Sequence, residues 1–140
     1  MSLTAALQQT VDDFHAVAEQ DRLQLLLEFA DDLPELPQRY ADHPDLLERV
    51  AECQSPVFLF VEVDDHVHVH ATAPPEAPTT RGFASILAQG LEGATVEAAL
   101  AVPSDFPGQL GLDRVVSPLR LRGMVGMLGR IQRQIRDKVS

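Results

Sequence analysis

One stretch in the middle of the chain, Ser55 to His70, restricts the fold more than any other. Its apolar residues are grouped or spaced for strands, and the pair Asp64-Asp65 makes a single break. Val57-Phe58-Leu59-Phe60-Val61-Glu62-Val63 is rich in β-branched and aromatic side chains, which suit a pleated surface. Asp64-Asp65 then makes a tight turn into His66-Val67-His68-Val69-His70, which alternates with period two. The two runs predict an antiparallel hairpin. Ser55-Pro56 can open its first strand, because a proline there forfeits only an end hydrogen bond. Leu46 to Ala51 is a candidate third strand.

The sequence on either side of the hairpin is helical. From Leu3 to Phe29 the apolar residues Leu3, Leu7, Val11, Phe14, Val17, Leu23, Leu26 and Leu27 recur mostly three or four apart, which predicts two amphipathic helices. Gln20-Asp21 marks the break, with Asp21 as a capping acid. Leu33-Pro34-Glu35-Leu36-Pro37 ends the pattern, since each proline disfavours helical geometry in the residue before it. After the loop Ala73-Pro74-Pro75-Glu76-Ala77-Pro78, a helix capped by Thr79 or Thr80 is expected to run to Gln89 and stop at Gly90. A short helix over Thr95 to Val102 and a Pro/Gly-rich connection from Pro103 to Gly111 follow. The last helix starts at Ser117-Pro118 and places Leu121, Met124, Val125, Leu128, Ile131 and Ile135 at core spacing. Helices, hairpin, helices in that order imply an α+β fold, with helices packed on one face of a small antiparallel sheet.

With 140 residues and 45% hydrophobic content, the chain is expected to form a single domain over residues 1–140. No segment approaches the roughly 20 apolar residues of a membrane span, and no basic-then-apolar leader is visible. The expectation is therefore a soluble, cytoplasmic protein. The formal charge of −10 is uneven. Residues 1–52 hold twelve acids against three bases, whereas residues 114–140 hold seven bases against one acid. An acidic body disfavours nucleic acid, whose phosphates demand a positive docking surface. The basic last helix reads as a solvated face or a protein contact, with Arg122, Arg130, Arg133 and Lys138 on it.

The sequence has one cysteine, Cys53, placed where a polar connection meets the first convincing strand. It cannot form an internal disulfide or supply by itself the several thiolates of a typical structural zinc or iron–sulfur site. It is either a buried apolar filler or a working thiol. His66, His68 and His70 alternate along one strand, so a metal site with Cys53 is a second candidate; the plainer reading has the valines facing the core and the histidines facing water. No Gly-rich phosphate loop and no Gly-x-Ser-x-Gly elbow is present.

Four pieces in register resemble the SufE family of sulfur acceptors. They are Leu33-Pro34-Glu35-Leu36, Glu52-Cys53-Gln54-Ser55-Pro56-Val57-Phe58-Leu59, Arg81-Gly82, and Ser117-Pro118-Leu119-Arg120-Leu121-Arg122-Gly123-Met124. The resemblance implies a fold shared with scaffold proteins of the IscU type. It implies a protein that accepts persulfide sulfur from a pyridoxal-phosphate cysteine desulfurase of the SufS kind, activates that enzyme, and passes the sulfur on, a cluster scaffold being one candidate recipient. Such a protein needs no metal or cofactor of its own. Cys53 falls on the family's sulfur-accepting cysteine, Arg120 on the arginine of the Ser-Pro-x-Arg motif, and Glu76 on the second acid of the loop before the Lys/Arg-Gly pair. Glu52 stands where the family usually has Gly, Pro56 where it has Gln, Phe58 where it has Trp, and Pro74-Pro75 where the acidic loop begins. A carboxylate beside Cys53 disfavours thiolate, and Arg120 is a candidate source of compensating positive charge. The alternatives are a metal or iron–sulfur scaffold using Cys53 and the histidine strand, and a binding module whose cysteine is inert.

Overall fold

The computed structural model describes residues 3–139. Helix α1 (Ala5–Ala16) opens the fold, and Thr4 fixes its start: the Thr4 hydroxyl accepts from the Leu7 N–H at 3.1 Å and donates to the Gly90 carbonyl at 2.7 Å. One side chain thus caps a helix and ties it to a distant one. The break before α2 (Arg22–Asp31) is a 3-10 turn at Glu19–Asp21, and the Asp21 side chain makes no capping bond, contrary to the sequence expectation. Arg22 holds this corner instead, donating to the carbonyls of Phe14 and Gly111.

A one-turn α3 (Gln38–Ala41) follows the proline linker and leads through a 3-10 turn at Pro44–Leu46 to β1 (Glu48–Arg49). β2 (Phe58–Val63) and β3 (Val67–Thr72) form the expected hairpin, with Phe58 opposite Thr72 and Val63 opposite Val67. The sheet order is β1-β2-β3, antiparallel throughout. The third strand is real but two residues long. Its turn-side neighbours, expected in the hairpin, shift too: the connection spans Asp64 to His66, where the Asp64 carboxylate accepts from the His66 N–H, so His66 lies outside the strand.

The core sits between one face of the sheet and the helices. Leu59, Val61, Val67, Val69 and Ala71 are buried there against α4 (Pro78–Leu91) and α6 (Pro118–Val139), with α1 and α2 packed on the far side of α4. The short α5 (Val96–Ala101) supports α6, and Thr95 caps it. Phe60, Glu62, His68 and His70 occupy the opposite sheet face, where the Tyr40 ring of α3 lies tilted, 4.8 Å from the Phe60 ring and 5.2 Å from that of His70. Helix α4 begins at Pro78 rather than at a capping threonine, because proline is preorganised for a first turn. It also runs through Gly90 to Leu91. Gly90 leaves room there for the Leu7 side chain, with which a Cβ would collide.

Candidate functional site

Cys53 lies in the connection between β1 and β2. The base of that loop is closed by Val50 N–H to Val57 carbonyl at 2.9 Å, and its first turn by Cys53 N–H to Val50 carbonyl at 3.1 Å. The loop folds onto α6, where two glycines one turn apart admit it. Gly123 accepts the Cys53 Sγ–H at its carbonyl, 3.7 Å away, and a Cβ at that position would stand 3.1 Å from the sulfur. A Cβ on Gly126 would stand 2.7 Å from Cβ and Cγ of Glu52. Side chains at either position would push the loop outward.

The thiol is 7% exposed and borders a cavity of about 40 Å³. Glu52, Gln54 and Ser55 of the loop, Thr80 of α4, and Leu119, Arg120 and Gly123 of α6 complete its lining. Burial pushes the Cys53 pKa up to about 11, with the Glu52 carboxylate adding to the rise and Arg130 opposing it. The compensating charge therefore comes from Arg130, farther along α6 than Arg120. Among the residues read in the sequence as candidates, Cys53 and Arg120 meet at this cavity. Glu76 is exposed in the turn before α4 and does not line it.

Arg130 is the residue the sequence reading missed. Taken there as part of a solvated basic face, it is half-buried and bridges two acids: its Nε donates to Glu52 at 2.7 Å and its Nη1 to Glu48 at 2.6 Å. Arg133 also donates to Glu48, and Gln134 Nε2 does so at 2.8 Å. The Arg130 bond holds Glu52 below the usual carboxylate range. Lys138 also turns back onto the fold, lying over the Phe60 ring and donating to the Val61 carbonyl. Of the basic residues on this helix, Arg120, Arg122 and Arg136 are exposed and form no ion pair with the described residues. The signal available in sequence was the glycine spacing Gly123, Gly126, which marks one helix face as approachable.

The histidine strand is occupied by a different network. His68 binds Glu92 at 2.6 Å and Asp64 at 3.2 Å, and His70 binds Glu62 at 2.7 Å. The Glu92 bond raises the His68 pKa. Burial would raise that of Glu62, yet hydrogen bonds from Tyr40, Arg39 and His70 bring it down to about 2. Among the described residues no three His, Cys, Asp or Glu side chains converge as a metal site. Also among them, no helix is long and apolar enough to cross a membrane.

Comparison with known proteins gives a consistent result. Residues 8–135 match the family model described as "SufE: Fe-S metabolism associated domain". An uncharacterized SufE-like protein of Mycobacterium tuberculosis is 54% identical over 138 residues, covering 97% of this chain and 95% of the relative. A SufE-like protein of Arabidopsis thaliana, described as chloroplastic/mitochondrial, is 29% identical over 133 residues; these are 94% of this chain but 35% of that longer protein. The solution structure of a hypothetical protein from Thermus thermophilus superimposes with a TM-score of 0.85 at 38% identity, covering 99% of this chain and 98% of the other.

Proposed function

Because the chain belongs to the SufE family, a family associated with iron–sulfur metabolism, we propose that it accepts sulfur on Cys53 from a pyridoxal-phosphate cysteine desulfurase and hands it on. The observation that carries this reading is the cavity beside the thiol. A space of about 40 Å³ next to Sγ has room for one further atom the size of sulfur, since a water-sized atom needs only about 10–15 Å³.

The chemistry needs one thiol. Cys53 as thiolate attacks the outer sulfur of the partner's cysteine persulfide. The Sγ–S bond forms as the partner's S–S bond breaks, and the displaced partner thiolate leaves. One S–S bond replaces another, so no oxidant or reductant is consumed. In the isolated protein the thiol is buried and protonated at neutral pH, which suits a carrier that must not react with whatever thiol-reactive molecule it meets. Arg120 stands exposed at the mouth of the cavity beside the 43% exposed Leu119, and together they offer a partner a cation and an apolar contact at the entrance. Glu76, outside the cavity, fits a role in docking rather than in the transfer step.

The test is sulfide release by a cognate desulfurase, with and without the protein. Stimulation by wild type that Cys53→Ser abolishes supports the reading. Stimulation that survives Cys53→Ser would reduce the protein to an activator whose thiol carries nothing.

A further inference from the structure

Two consecutive loop residues, Glu52 and Cys53, sit on two consecutive glycine turns of α6, and the next turn carries the arginine that grips the first of them. The contact between Glu52 and the helix is close enough that a methyl group on Gly126 would collide with its Cβ, Cγ and Cδ at 2.7, 2.7 and 2.8 Å. The same guanidinium reaches back to Glu48 in β1, so it ties the loop to the sheet as well as to the helix. Arg133 and Gln134 hold Glu48 in turn. Glu52 is covalently next to Cys53. Whatever moves Glu52 off α6 moves the thiol off Gly123.

We propose that Arg130 is a positioning residue that latches the Cys53 loop shut against α6 through Glu52, so that the thiol is exposed only when this ion pair opens. The latch rests on the sulfur-acceptor reading for its purpose, but its existence is a property of the isolated chain and is tested without a desulfurase. Glu52 is 44% exposed and Arg130 26% exposed at their side chains, so the pair is within reach of solvent and of a docking partner. Exposed pairs contribute modestly, which sets the size of the expected effect: opening the latch should speed modification of Cys53 by about two- to fivefold.

An electrostatic role for Arg130 and a latch role predict opposite signs. Arg130 favours the Cys53 thiolate, so removing its charge alone would slow alkylation at about pH 8, below the thiol's raised pKa. Removing a latch would speed it. The experiment follows iodoacetamide modification of Cys53 by mass spectrometry in wild type, Arg130→Met, Gly126→Ala and Arg133→Met, with thermal melts alongside. Gly126→Ala changes no charge and favours helix, yet displaces Glu52. Arg133→Met removes a neighbouring positive charge of α6 while leaving both Arg130 bonds, to Glu52 and to Glu48, in place. The latch predicts faster alkylation in Arg130→Met and in Gly126→Ala, with Arg133→Met at the wild-type rate. Arg130→Met no faster than wild type, or Arg133→Met equally fast, overturns it. Should Arg130→Met fail to fold, Gly126→Ala decides alone, and an unchanged rate there overturns the proposal.

Discussion

A cysteine can be buried because it is a small hydrophobe or because its reactivity must be contained, and the surroundings of Cys53 support the second, proposed reading. An inert filler would be packed on all sides, whereas Cys53 borders a cavity shared with an acid and an exposed arginine, and Gly123 brings the helix backbone to it. With burial and Glu52 holding its pKa near 11 instead of the ordinary 9.0, the isolated protein should alkylate at about pH 8 more slowly than a small free thiol. An equal rate would show that the loop is already open. Glu62 makes a second prediction at this scale. Its folded pKa of about 2 lies below its ordinary 4.5, so its contribution to stability is present above pH 4.5 and is lost as the pH falls toward 2. Thermal melts of Glu62→Gln should lie below wild type at neutral pH and fall less steeply across that window. Parallel curves would contradict the assignment.

At the scale of elements, the sheet edge explains why the third strand, expected within Leu46 to Ala51, is only two residues long. β1 pairs with β2 only opposite Phe58 and Leu59, and beyond it the edge of β2 is completed by side chains of α6. Gln134 Oε1 accepts from the Val61 N–H at 2.9 Å, and Lys138 donates to the Val61 carbonyl. Two helical side chains thus satisfy backbone groups that a longer strand would have paired. Replacing Gln134 with Leu leaves the buried Val61 N–H unpaired and should cost about 1–3 kcal/mol in urea unfolding. A loss within error of zero would mean that solvent reaches this edge. The hairpin was legible because alternation is a local property of the chain. The passage of α4 through Gly90 was not, because it depends on Leu7, a residue whose importance appears only when the helices pack.

For the whole molecule, the distribution of charge has an internal purpose that composition alone could not reveal. The basic last helix is not merely a solvated face: Arg130 and Arg133 neutralise Glu48 and Glu52 of the acidic body, and Arg133 also pairs with Asp137. Arg120, Arg122, Arg136 and Lys138 form no ion pair with the described residues; Lys138 is engaged with Phe60 and the Val61 carbonyl, and the three arginines are exposed. The candidate site was legible in part for the same reason. Cys53 and Arg120 stand within quotable motifs. Arg130 acts across 78 residues of sequence on Glu52, and no local pattern announces that pairing. The histidine strand shows the converse, since its spacing suggested a metal and its carboxylate partners came from elsewhere in the chain, Glu92 from the end of α4 and Glu62 from β2. The central claim is that Cys53 itself carries the sulfur. The most direct measurement is mass spectrometry of the protein after a single turnover with a cysteine desulfurase and isotopically labelled cysteine. The account predicts one added labelled sulfur on the peptide containing Cys53, removable by a reducing thiol. Desulfurase turnover with an unmodified Cys53 peptide would contradict it.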